Sequence, residues 1–201
     1  MRKLVLVLLL TLALTPSRGR ALPPVETMLA ERSMGSPTAP VTLVEYSSLT
    51  CPHCADFHRE TLPKIKEAFV DKGVVRYVLR DFPLDPRAMA AAMVARCLPA
   101  DQYFGFIGML FSDQQTWAHS RNPTEDLKVR AQLAGLSPAE FDACLSNKEL
   151  ADGIQAAAAE AQKRDGIDST PTLFVNGRKI PGAASYEEFR SAIDAAVAQA
   201  R

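Results

Sequence analysis

Two cysteines separated by two residues, in Cys51-Pro52-His53-Cys54, form the motif in this chain best suited to chemistry. They follow an apolar, β-rich segment and open a stretch with helical spacing. A helix N-terminus carries about half a positive charge and unpaired amide hydrogens. A thiolate placed there is stabilised, so its pKa falls and it becomes the form that attacks disulfides. One helical turn separates the two cysteines, which brings Cys54 within reach of a mixed disulfide on Cys51. Pro52 suits the first turn, where its missing amide hydrogen costs little. His53 adds positive charge or a hydrogen bond near the Cys51 sulfur. The sequence therefore predicts Cys51 as an exposed nucleophile of depressed pKa and Cys54 as the buried resolving thiol.

Other uses of this motif fit less well. A zinc site would draw on Cys51, Cys54 and either His53 or His58, but a second ligand pair at metal spacing is missing. A c-type haem needs histidine directly after the second cysteine, where this chain has Ala55. A purely structural bridge across two residues closes a small, strained loop. Redox chemistry at a dithiol is the reading retained, with no metal and no cofactor expected.

The remaining cysteines are Cys97 and Cys144, and four cysteines allow three connectivities. Their redox context comes from the start of the chain. Arg2 and Lys3 precede an apolar run from Leu4 to Leu10, continued by Leu12, Ala13 and Leu14, before Thr15, Pro16 and Gly19. That order describes a secretory signal, residues 1–21, with cleavage after Gly19 or Ala21. The run is shorter than the roughly 20 apolar residues that span a bilayer. Export places the cysteines where disulfides persist.

The elements that must position the dithiol are legible in outline. Residues 22–40 read as a leader holding at most one short helix. Val41 to Ser47 reads as a buried strand, Cys51 to Lys72 as a helix kinked at Pro63, and Val74 to Leu79 as a second strand. Between Arg87 and Arg164 the patterns are helical. Ser137-Pro138-Ala139-Glu140 carries the signature of a capped helix start. Thr172 to Val175, the turn Asn176-Gly177 and Arg178 to Ile180 read as a hairpin, and Tyr186 to Ala200 as a last helix.

The order implies an α/β sheet domain, residues 41–86 and 167–201, split by an inserted all-helical domain at residues 87–166. At 201 residues and 47% apolar content, the chain can bury a sizeable core. Its 23 basic and 23 acidic residues balance without long runs of one sign, which argues against nucleic acid or an anionic membrane surface as a partner.

With Cys-Pro-His-Cys between a strand and a helix, and with a helical insertion, the chain resembles the DsbA family, disulfide oxidases of the bacterial periplasm. The resemblance implies a thioredoxin fold with an inserted helical domain. Thr170-Pro171 stands where thioredoxin-like proteins keep a cis-proline facing the dithiol, and Glu45, six residues before Cys51, matches their buried acid. The resemblance implies that Glu45 relays the Cys54 proton, or else serves as a structural carboxylate. It also implies a Cys97–Cys144 bridge, with two buried free thiols as the alternative. Two positions depart from the pattern. Thr170 replaces the valine common in oxidases, with its hydroxyl expected beside the Cys51 sulfur, and His58 replaces an acid that some members carry there.

Trp117, Phe104, Phe106 and Phe111 read as core of the helical block, and His119 as a surface residue. Arg76, Arg80 and Asp81 read as a solvated strand end. The function implied is donation of the Cys51–Cys54 disulfide to exported proteins with free cysteines, followed by reoxidation at a membrane redox partner. An isomerase or reductase is the alternative. Known isomerases of this kind add an oligomerisation segment, whereas about twenty residues separate the cleavage point from Val41, so a monomer is expected.

Overall fold

The computed structural model describes residues 21–182 and 184–200. Apart from Ala21, the expected signal segment lies outside the described residues. Five strands form one mixed sheet in the order β1-β3-β2-β4-β5. They are β1 (Arg32–Met34), β2 (Val41–Ser47), β3 (Val75–Asp81), β4 (Thr172–Val175) and β5 (Arg178–Ile180). Only β2 and β3 run parallel, as the intervening helix requires.

That helix is continuous from Pro52 to Val70 but changes pitch. α2 (Pro52–Asp56) and α3 (Leu62–Ile65) alternate with wider π turns at Phe57–Thr61 and Lys66–Val70. Pro63 has no amide hydrogen to donate, and its ring crowds the carbonyl of Arg59; the π turn before it accommodates both. The kink expected at Pro63 is thus spread over a local widening.

The helical block comprises α4 (Pro86–Cys97), α5 (Ala100–Ser112), α6 (Gln114–Ala118), α7 (Pro123–Leu133), α8 (Pro138–Leu145) and α9 (Lys148–Asp165). Its boundaries follow local chemistry. Asp85 caps α4, Ser137 and Glu140 form a complete capping box on α8, and Gly166 ends α9 in the left-handed conformation. Asn176 and Gly177, both at positive φ, close the β4–β5 hairpin as expected of a type I′ turn. α10 (Tyr186–Gln199) then packs on β2, β4 and α3.

Strand alternation divides the sheet. Val41, Leu43, Tyr77, Leu79, Leu173 and Val175 join one core that continues into the helical block through Tyr103, Phe106, Phe111, Trp117 and Phe141. The opposite face carries a small cluster of Tyr46 with Ala161 and Ile167, flanked by Val44 and Phe174. The insertion therefore shares a core with the sheet. Each of its large buried side chains contributes about 1.5–3 kcal/mol by leaving water.

Two expectations are corrected. Residues 22–40 are more than a leader, because α1 (Val25–Leu29) packs on α4 and α9 and β1 forms the sheet edge beside β3. Arg32 and Arg96 pin this segment by donating to the carbonyls of Thr27, Met28 and Ala30. Nor is Asp81 solvated. It is buried in an ion pair with Arg96, whose charge offsets the cost of desolvating it. Arg76 pairs with Glu31, and Arg80 reaches the Tyr46 hydroxyl. Trp117, Phe106 and Phe111 are core residues, Phe104 is half-buried, and His119 is exposed.

Candidate active site

Cys51 is the N-cap of α2, in extended backbone geometry, and Pro52 opens the helix. Cys51 is 7% exposed and Cys54 fully buried. The order of accessibility matches expectation, but Cys51 is not an exposed side chain. Its Sγ lies 3.2 Å from the carbonyl oxygen of Thr170, to which the thiol donates. The Thr170–Pro171 peptide is cis.

The surroundings of Cys51 favour its ionised form and hold its pKa down to about 5. The largest cause is the hydrogen bond that Cys54 gives it; burial opposes, and Thr170 and the backbone amides of Cys54 and His53 assist. While Cys51 keeps its proton, the Thr170 hydroxyl is buried without a partner. Once the sulfur ionises, that hydroxyl is a donor beside it. His53 contributes through its amide, because its ring is 78% exposed and lies 3.9 Å from Asp56. Burial pushes the Cys54 thiol far up, and the bond to Cys51 and the Glu45 charge push it further.

Glu45 faces the core because β2 alternates, and it is fully buried. Its Oε2 accepts from the Tyr77 hydroxyl at 2.5 Å and lies 3.1 Å from His58 Nε2, while its Oε1 has no partner. The structure thus brings Cys51, Cys54, Glu45, Thr170 and Pro171 to one place, and adds His58 and Tyr77. Cys54 and His58 are four residues apart on the same helical face. That spacing was the available signal for His58, and its position in place of an acid was another.

Two further residues hold the site and carry no motif. Gln114, at the start of α6, donates Nε2 to the carbonyls of Leu49 and Cys51, both at 3.0 Å. Thr50 donates to Asp85, the α4 cap, at 2.8 Å. The helical block thereby fixes the residues leading into α2. Behind the cis-proline, Gly182 packs so closely that a Cβ would lie 2.1 Å from the Pro171 carbonyl oxygen. Cys97 and Cys144 are joined, linking α4 to α8 across a Cα separation of 6.3 Å.

A dithiol at a helix N-terminus, set against a cis-proline on the neighbouring sheet, defines the thioredoxin class of redox site. The comparisons agree. A family model described as "Thioredoxin" matches residues 27–195. The crystal structure of alpha-DsbA1 of Wolbachia pipientis is 33% identical in sequence, with a TM-score of 0.80, over 85% of this chain and 92% of that one. A Rickettsia typhi protein whose name proposes a protein-disulfide oxidoreductase is 32% identical over 165 residues, 82% of this chain and 61% of the relative. Disulfide bond formation protein D of Bacillus subtilis is 28% identical over 170 residues, 80% of this chain and 74% of the relative. The chain spans about three-fifths of the length of the Rickettsia relatives. It belongs to the DsbA family of thioredoxin-fold thiol–disulfide oxidoreductases.

Proposed function

We propose that this protein is exported to the periplasm and donates its Cys51–Cys54 disulfide to folding proteins with free cysteines. The observation that carries this reading is the asymmetric placement of the dithiol: Cys51 caps α2 with its Sγ against the carbonyl of the cis Thr170–Pro171 peptide, while Cys54 is fully buried. That placement favours the thiolate at Cys51 and disfavours it at Cys54. A substrate thiolate attacks Cys51, the disulfide breaks, and its electron pair moves to Cys54, which takes a proton and stays buried. A second substrate thiolate then attacks the substrate sulfur of the mixed disulfide and expels Cys51 as a stable thiolate. A good leaving group at Cys51 makes the second step fast and the reduced enzyme favoured.

Thr170 and Pro171 hold backbone beside Cys51, where an extended substrate segment can lie along it. Glu45 exchanges the Cys54 proton. The reduced enzyme would be reoxidised by a membrane redox partner, and the protein would act as a monomer. The isomerase reading differs only in keeping the same dithiol reduced.

The test is stoichiometric. Oxidised protein mixed with reduced, unfolded ribonuclease should lose its disulfide as the ribonuclease thiols disappear, one disulfide for two thiols. An isomerase would instead restore activity to scrambled ribonuclease without net oxidation. No thiol loss in the first assay together with no recovered activity in the second would remove the function.

A further inference from the structure

His58 is buried beside the Glu45 carboxylate. Its side chain is 5% exposed, and its ring stacks on Phe111 of α5 at 4.1 Å between centroids. From the strands it faces two titratable groups, with Nε2 3.1 Å from the Glu45 carboxylate and 3.3 Å from the Tyr77 hydroxyl. On its own helix Cys54 lies one turn before it, and the neighbouring Arg59 turns to Asp56 and the Phe111 carbonyl. Burial and the Glu45 charge push Tyr77 well above the ordinary tyrosine range, so it remains a hydrogen donor. A carboxylate shut away from water keeps its charge when it is paired and hydrogen-bonded. Here the pairing partner is a histidine, the side chain whose proton is most readily exchanged near neutral pH.

We infer that His58 is the positioning residue that supplies, through Glu45, the proton taken up by Cys54 when the disulfide opens. This rests on the donor reading above. When a substrate thiolate attacks Cys51, one sulfur–sulfur bond forms and the Cys51–Cys54 bond breaks. The electron pair goes to Cys54. A proton passes from His58 Nε2 to Glu45, and the carboxyl, whose Oε1 is unpartnered and whose charge acts on Cys54, passes it on. Glu45 ends as it began, ionised, and His58 ends neutral. One negative charge enters with the substrate thiolate, and one positive charge is lost from the histidine. The pair thus acts as a proton store beside a leaving group that burial and charge make strongly basic.

The consequence is a pH dependence of disulfide opening beyond that of the attacking thiol. The probe is glutathione reducing the oxidised protein between pH 5 and 9, with rates divided by the glutathione thiolate concentration. The corrected rate should fall at least tenfold as His58 loses its proton, within the range of general acid catalysis. His58→Gln keeps an N–H donor for Glu45 but no exchangeable proton, so its corrected rate should sit at the low plateau at every pH. His58→Lys should restore the acid-side rate and carry the fall to higher pH. A His58→Gln profile equal to wild type would reduce His58 to a structural prop and overturn the inference. Should the variants not fold, nitrogen NMR of the His58 ring in the oxidised wild type decides instead. A ring neutral throughout pH 5–9 overturns the proposal, and a titration at the midpoint of the rate profile supports it. Complete inertness towards glutathione would instead count against the donor function itself.

Discussion

Gln114 Nε2 donates a hydrogen bond to the carbonyl oxygen of Cys51 across 3.0 Å, so the helical block reaches directly to the residue that starts the active-site helix. The same nitrogen holds the Leu49 carbonyl. Both contacts are buried, where leaving an acceptor unpaired costs about 1–3 kcal/mol. Gln114→Ala should therefore lower stability to urea by about 1–3 kcal/mol, measured on the oxidised protein. It should also raise the Cys51 pKa, because the loop before α2 loosens. Unchanged unfolding would mean that these carbonyls find other partners.

The dithiol makes stability depend on pH in a defined direction. Cys51 has a folded pKa of about 5, below the roughly 8.5 of an unfolded thiol. A depressed acid contributes stability that is fully present above the unfolded value and is lost as pH falls through the folded one. The oxidised protein has no such group. The stability of the reduced form relative to the oxidised form should then rise by up to about 1.4 kcal/mol per pH unit between pH 5 and 8.5, and level off below. Urea melts of both forms across this window check it. A gap independent of pH would show that Cys51 is an ordinary thiol.

Thr170→Val removes the hydroxyl beside the Cys51 sulfur. The reduced protein loses a donor to its thiolate, so the Cys51 pKa should rise by up to about one unit, near 1.4 kcal/mol. The disulfide becomes less oxidising by tens of millivolts on the two-electron scale. The oxidised form, relieved of a buried unpaired hydroxyl, should gain about 1 kcal/mol in a thermal or urea melt. Equal potentials for the two proteins would make Thr170 a strand residue without redox influence.

Gly182→Ala places a methyl 2.1 Å from the Pro171 carbonyl oxygen, a contact only a backbone shift can relieve. That shift moves the cis-proline loop, which carries Thr170 against Cys51. The rate of disulfide exchange with a model peptide should fall about tenfold, with a stability loss of about 1–3 kcal/mol. A rate equal to wild type would show that the loop tolerates displacement.

Cys97 and Cys144 are both buried within 2% of complete coverage. Mild reduction that opens Cys51–Cys54 should leave them joined when peptides are mapped by mass spectrometry. Replacing both with serine should cost up to about 4 kcal/mol, the loop-entropy value for a 47-residue separation. Alkylation of both under native conditions would contradict the bridge.

These contacts show which parts of the site a sequence displays. Cys51-Pro52-His53-Cys54, the Ser137 capping box and the Asn176-Gly177 hairpin are local, because each motif creates its own backbone geometry. β1 was invisible: its three residues show no alternation, and Arg32 is buried only because the distant Arg96 carbonyl and the Tyr103 ring receive it. Asp81 looked solvated because its partner Arg96 lies fifteen residues away on another element. Gln114 is one of several polar residues between Ser112 and Thr116, and its importance exists only once α6 meets the loop before Cys51. His58 was marked by position but not by partner, since its contacts come from two strands and a helix of the insertion.

The redox potential of the Cys51–Cys54 couple, measured against glutathione buffers at pH 7, reads the stabilisation of the reduced dithiol. A thiolate stabilised in the reduced state predicts an oxidising couple, above about −200 mV. A potential near −270 mV, the value of a reducing thioredoxin-type couple, would contradict disulfide donation and place this dithiol among the reductants.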